Sequence, residues 1–253
     1  MRFASVGSGS NGNALVIASG DTYLLVDCGF SLKELTSRLR RVDLTPSDLT
    51  AVLVTHEHAD HIRGVGPLAR RFGLPVYMTE GTGSSRALGR VENHCVISAG
   101  ETFDIGDITV QAYRVPHDAR EPVQFAFESR DGKRLGLLTD TGSIPDQLAA
   151  CYHGVQALVL EANHDPEMLA RGPYPASLKQ RVGGFWGHLS NQQCAGLVEQ
   201  LDLTMLQHLV IAHISQKNNT PQLVLNALAH VQGVERCITL ACQERGFDWL
   251  QIA

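Results

Sequence analysis

Six consecutive positions, His56-Glu57-His58-Ala59-Asp60-His61, carry three imidazoles and two carboxylates. Imidazole nitrogen and carboxylate oxygen are good ligands for divalent transition metals. Alternation of His56 and His58 lets a tight turn aim two rings at one ion, while Asp60 and His61 point at another. Crowding so many titratable groups together without a cation would be costly through mutual desolvation. These residue types at this spacing therefore predict a metal site.

The motif follows the apolar run Ala51–Val54 and precedes Gly64, which puts it in a loop at the end of a strand. Short strand-like runs open the chain at Arg2–Val6, Ala14–Ala18 and Tyr23–Val26, separated by turns rich in Gly, Ser and Asn. A helix is read at Leu32–Arg41, another at Val65–Phe72, and a strand at Pro75–Met78. Strands recur at Ile108–Tyr113, Val123–Glu128 and Leu135–Leu138. Strands at Ala157–Leu160, Leu209–Ala212 and Cys237–Leu240 then alternate with helices at Gln192–Gln200 and Pro221–His230. Two mixed halves of this kind predict an α/β fold, with two sheets face to face and helices outside. Residues His164 to Gly187, rich in Pro, Gly and aromatic residues, read as an ordered excursion between a strand and a helix. Excursions of that length are often functional.

A chain of 253 residues with 43% apolar content can bury a sizeable core, and residues 1–253 are expected to form one domain. The first residues lack a signal-peptide pattern, and no stretch approaches the roughly 18 unbroken apolar residues of a membrane span. The expected location is the cytoplasm, with no membrane contact. Six cysteines lie scattered without a C-x-x-C pair, so reduced thiols are expected rather than a disulfide framework or zinc knuckle. The net charge of -5 argues weakly against a nucleic-acid ligand, although basic patches can exist on an acidic chain.

The motif H-x-H-x-D-H resembles that of metallo-β-lactamase-fold hydrolases, and later motifs follow in the order of that family along essentially the whole chain. The resemblance implies a four-layer αββα sandwich of two mixed sheets flanked by helices. It also implies two divalent metal ions. His56, His58, His117 and Asp140 would hold the first, and Asp60, His61, Asp140 and His213 the second, with Asp60 also part of the catalytic machinery. Asp27, ending an early strand, would support the metal loop without ligating. Zn²⁺ suits the mixed ligation, and Mn²⁺ or Fe²⁺ could fill the oxygen-richer site. Two ions sharing a carboxylate imply hydrolysis.

The stretches Glu161-Ala162-Asn163-His164-Asp165, Gly187-His188-Leu189-Ser190-Asn191 and His213-Ile214-Ser215-Gln216-Lys217-Asn218-Asn219 resemble the YycJ-like group. That group is related to tRNA 3′-processing ribonucleases and β-CASP nucleases. The resemblance implies an exonuclease-like phosphodiesterase acting on single-stranded nucleic-acid ends in DNA maintenance. His188 would be a general acid oriented by Glu161. His188 could instead merely lead into the following helix, with Ser190 or Asn191 as its cap. Ser8, Asn11, His164, Asn191, Lys217 and Asn218 are the candidate substrate contacts. Two of them have a second reading: the Gly7–Gly12 loop as a plain turn, and His164 as loop packing or an extra metal neighbour. Arg63, Arg70, Arg71, Arg86, Arg90, Lys179, Arg181 and Lys217, interleaved with Tyr174, Phe185 and Trp186, are further candidates for backbone and base contacts, unless the basic residues are solvated faces and the aromatics core. The short stretches from His117 to Asp140 and from Asp140 to His213 leave no room for a β-CASP insertion. A small-molecule hydrolase acting on a thioester, lactone, lactam or cyclic phosphodiester is the alternative. Either a monomer or a homodimer fits the sequence.

Overall fold

Side chains that alternate apolar on both faces must be covered on both faces, and this requirement sets the layers. The computed structural model describes every residue from Met1 to Ala253. Its strands are β1 (Arg2–Gly7), β2 (Ala14–Ser19), β3 (Thr22–Val26), β4 (Ala51–Leu53), β5 (Val76–Met78), β6 (His94–Val96) and β7 (Thr102–Ile105). They continue as β8 (Ile108–Arg114), β9 (Val123–Ser129), β10 (Arg134–Leu138), β11 (Ala157–Glu161), β12 (His208–Ala212), β13 (Ile238–Leu240) and β14 (Phe247–Gln251). Pairing sorts them into two seven-stranded sheets, β14-β1-β2-β3-β4-β5-β6 and β13-β12-β11-β10-β9-β8-β7.

Leu24 and Val26 of β3, Phe125 and Phe127 of β9, and Val210 of β12 meet in the core between the sheets. The neighbouring positions face outward under helices. Leu25 and Val52 pack with Leu35, Leu39 and Leu68 from the helices Leu32–Leu39 and Val65–Phe72. Leu158, Leu160 and Ile211 pack with Leu197, Val198 and Val224 from the helices Asn191–Gln200 and Pro221–Leu228. Three apolar cores thus separate four layers, helix, sheet, sheet, helix, as expected of the metallo-β-lactamase fold. Truncating one of these buried leucines to alanine costs about 2–5 kcal/mol.

Three strands have no counterpart in the sequence reading. β6 and β7 are the outermost strands of their sheets and are partly exposed, while β14 buries only Phe247 and is recruited by pairing with β1. The excursion His164–Gly187 also holds two short helices, Pro166–Arg171 and Ala176–Val182. Asp165 caps the first by accepting the Met168 N–H, while the second buries no residue and so leaves no apolar stripe in the sequence. All six cysteines are free thiols. No helix is long and apolar enough to cross a membrane.

Candidate metal centre

β3 runs parallel to β4, and β10, β11 and β12 run parallel to one another, so the carboxyl ends of these strands gather on one edge of the sandwich. Such an edge is where open α/β sheets hold ligands. Asp27 follows β3, the histidine motif follows β4, His117 follows β8, Asp140 follows β10, Glu161 ends β11 and His213 follows β12. Only four non-glycine residues have φ in the left-handed region, and three of them are Asp27 (60°), Asp140 (52°) and His213 (52°). Strain of this kind persists where the surroundings over-determine it, and it clusters at functional sites.

His58 is the N-cap of the one-turn helix Ala59–Ile62, so that turn fixes Asp60 and His61 against it. The loop after β3 packs closely on the same turn. A Cβ at Gly29 would lie 1.8 Å from the Asp60 carbonyl oxygen, so only glycine fits there.

Two groups of donors result. In the first, His56 Nε2 lies 3.0 Å and His117 Nε2 3.2 Å from His58 Nδ1. The far nitrogens are already committed. His56 Nδ1 meets Thr55 Oγ1 at 3.0 Å, and His117 Nδ1 donates to the Gly187 carbonyl at 3.0 Å. Lone pairs therefore converge on one point, an arrangement that suits a cation. Burial, with neighbouring imidazoles, holds His56 and His117 below the ordinary histidine pKa, which keeps these rings neutral.

In the second group, His61 Nε2 lies 3.5 Å from Asp60 Oδ2 and 3.4 Å from Asp140 Oδ2. His213 Nε2 lies 3.6 Å from an oxygen of each of these carboxylates. Burial alone would lower the pKa of these imidazoles, yet the surrounding carboxylates raise His61 well above its ordinary value and push His213 up to about 10. Burial works the opposite way on Asp60 and Asp140, but the imidazoles hold both below the usual carboxylate range. Asp140 Oδ2 and His213 Nε2 are buried without any hydrogen-bond partner. Orphaned polar atoms in this setting call for an ion. The donor sets His56/His58/His117 and Asp60/His61/His213, with Asp140 against both His61 and His213, could thus hold divalent metal.

A surrounding shell aims the rings. Asp27 accepts from His61 Nδ1 (2.8 Å), the Thr55 N–H (2.9 Å) and the Thr55 hydroxyl (2.8 Å). Glu161 is fully buried and accepts from His188 Nδ1 (2.7 Å), His213 Nδ1 (3.1 Å) and the backbone N–H groups of Leu189 (3.1 Å) and Thr141 (3.2 Å). Burial would raise the carboxyl, but these donors hold it down at about 2. Glu161 lies behind the two rings, whereas His188 is about one-fifth exposed and lines the cleft. Burial would lower the His188 pKa, but Glu161 and Asp140 raise it.

The cleft over these donors has a volume of about 370 Å³, and its walls include Ser10, His58, Asp60, Asp118, Asp140, Tyr174, Arg181, His188 and His213. Most residues assigned to substrate from the sequence turn away from it. Ser8 is buried and accepts the His213 N–H (2.9 Å), supporting that strained backbone. Asn11 is exposed and leans toward Gln216 and Gln243. His164 bridges to Ser190 inside the fold, Asn191 pairs with Asn219, and Asn218 is buried against Gly172. Lys217 is exposed, its ammonium 5.6 Å from the Tyr174 ring. Polar side chains in loops look alike in sequence whether they turn inward or outward.

Two residues were passed over. Asn13 Nδ2 sits 3.3 Å from Asp60 Oδ2 and 3.1 Å from His61 Nε2, and is the contribution of the first Gly/Ser/Asn turn to the donors. Asp118 lies 3.8 Å from His58 Nε2 and 3.5 Å from His117 Nε2, and its other oxygen is paired with Arg181. Adjacency to His117 was its only sequence signal.

Residues 22–214 match the beta-lactamase superfamily domain. Exodeoxyribonuclease YycJ of Bacillus anthracis is 37% identical over 235 residues, covering 91% of this chain and 89% of that protein. Exodeoxyribonuclease WalJ of Streptococcus pneumoniae is 38% identical over 228 residues, covering 88% and 84%. Among solved structures, Zn²⁺-bound PqqB from Methylobacterium extorquens superposes with a TM-score of 0.76 at 19% identity, covering 99% of this chain and 100% of that one, a likeness of fold alone.

Proposed function

The chain belongs to the beta-lactamase superfamily, and from that premise we propose that it is a two-metal phosphodiesterase that shortens nucleic acid from single-stranded ends. A metal-dependent hydrolase is the activity of this fold with this donor cluster. The finer reading draws on the exodeoxyribonuclease names of relatives that match most of the chain. The observation that carries it is His188, held by Glu161 at 2.7 Å and opening into the same cleft as both donor groups.

His56, His58 and His117 would hold one divalent ion, and Asp60, His61 and His213 the other, with Asp140 shared between them. When bound, such ions supply a water of lowered pKa and polarise the phosphoryl oxygen. The remaining work falls to side chains. Asp27 and Glu161 fix which ring nitrogens face the cleft, and Asn13 steadies the Asp60 carboxylate. With its Nδ1 proton committed to Glu161, His188 presents Nε2, and a proton held there is what the leaving alkoxide takes. The Glu161 carboxylate stabilises the charged ring before that transfer.

The test starts from metal-free protein reloaded with Zn²⁺ or Mn²⁺ and given single- and double-stranded oligonucleotides labelled at either end. Stepwise shortening from single-stranded ends, lost in His58→Ala, is the expected result. A protein that binds two ions but cuts no oligonucleotide under either metal refutes the nuclease reading and leaves the small-molecule hydrolase standing.

A further inference from the structure

Phe185 and Trp186 are 58% and 57% exposed, and every other Phe, Tyr and Trp of the chain is buried or half-buried. Aromatic area left in water on one loop marks a binding surface more often than an accident. The pair stands at the rim of the metal cleft, since Gly187 and His188, the next two residues, line it.

The loop that carries them is held rigidly. The Trp186 carbonyl accepts the Asp118 N–H at 2.9 Å, and the Phe185 carbonyl accepts from the Ser143 hydroxyl at 3.3 Å. Gly187 N–H closes the turn onto the Gly184 carbonyl at 2.9 Å. A Cβ at Gly142 would come within 2.4 Å of Phe185 O and of Gly187 N, so the loop presses directly on the turn that follows Asp140. The two rings meet edge to face, 5.2 Å apart at 76°, so each braces the other. Rings fixed in place before any ligand arrives lose little entropy when something stacks on them.

Charge indicates what that ligand is. Arg181 is on the same rim, 56% exposed on its side chain and paired with Asp118, whose backbone N–H is the group bonded to Trp186. A guanidinium beside exposed aromatic faces is the combination that tracks a single strand, phosphate on the cation and base on the ring.

We propose that Phe185 and Trp186 form a stacking step for an unpaired base next to the scissile phosphodiester, with Arg181 meeting the backbone phosphate. This rests on the phosphodiesterase reading above. It adds a physical basis for preferring single strands, because paired bases have no free face to offer.

The experiment compares wild type with the Phe185→Ala/Trp186→Ala double variant and with Trp186→Leu, which keeps apolar bulk but loses the aromatic face. Each is checked for unchanged metal content and melting temperature. Substrates are a single-stranded oligonucleotide and the same oligonucleotide with abasic residues at its cleaved end. Stacking is worth about 1–3 kcal/mol per base, so kcat/KM on the natural strand should fall about 5- to 150-fold in both variants, mainly through KM. Abasic residues should slow wild type to the level of the variants and leave the variants nearly indifferent. Variants that cut the natural strand like wild type, or an abasic penalty equal in all three proteins, overturn the stacking step alone. A wild type that cuts no oligonucleotide removes the phosphodiesterase reading, and the stacking step with it.

Discussion

The two groups of donors that meet near Asp140 are chemically unlike. His56, His58 and His117 present ring nitrogens to one another, and burial keeps His56 and His117 neutral. Asp60, His61 and His213 form interleaved imidazolium–carboxylate pairs, in which each charge favours the other. Without metal, the first group is held only by contacts between its own ring nitrogens. The second largely neutralises itself. An ion entering the first group displaces few protons, whereas an ion entering the second must expel the protons held on His61 and His213. The difference predicts unequal affinities and unequal dependence on pH within a single cleft.

The largest expected effect comes from Asp140→Asn, because Asp140 faces both His61 and His213 and lies within reach of His56. Removing its charge should loosen both ions and cost several kcal/mol of barrier, which abolishes measurable turnover in a steady-state assay. Next comes His188→Ala, which touches neither group as a proposed ligand. Turnover on oligonucleotides should fall about 10²–10⁴-fold with metal content unchanged, and the loss should shrink for a p-nitrophenyl ester, whose leaving group needs no proton. A loss equal on both substrates would rule out proton delivery by His188. Glu161→Gln then separates the groups, since it reaches His213 but none of His56, His58 and His117. Affinity should fall about 10- to 100-fold for one ion only, as measured by competition with a chelator.

The smallest effect is on the stability of the metal-free protein. The pKa of His213 in the fold is about 10, above its ordinary 6.5, so the stabilisation from its ion pairs is fully present below pH 6.5 and is lost as pH rises through 10. The melting temperature of the metal-free protein should fall across that window, while the metal-loaded protein, whose His213 ring is neutral throughout, should not share the fall. Equal slopes in the two forms would break the distinction between the donor groups.

The donor cluster was legible in sequence to the extent that it is local. His56 to His61 announce themselves because four donor side chains, His56, His58, Asp60 and His61, fall within six consecutive residues. His117, Asp140 and His213 are single residues at the ends of apolar strands, and only their resemblance to a known order singled them out before the sheets brought them together. The order of strands and helices in two mixed halves gave the layers, because β3, β9 and β12 are apolar on both faces and must be covered on each side. What stayed hidden depends on register between distant loops. Asn13 reaches Asp60 across 47 positions, and Ser8 supports His213 across 205. No local pattern encodes either contact, so the sequence could not show that the first turn, which lines the cleft through Ser10, also reaches the donor residues through Ser8 and Asn13.

The most direct test is calorimetric titration of Zn²⁺ into metal-free protein in two buffers of different ionisation enthalpy, on wild type and His213→Ala. Two binding events are predicted, one releasing clearly more protons than the other, and only the event with little proton release should survive in His213→Ala. A single event, or two events with equal proton release, would contradict the division of this centre into an all-imidazole group and a self-paired carboxylate group.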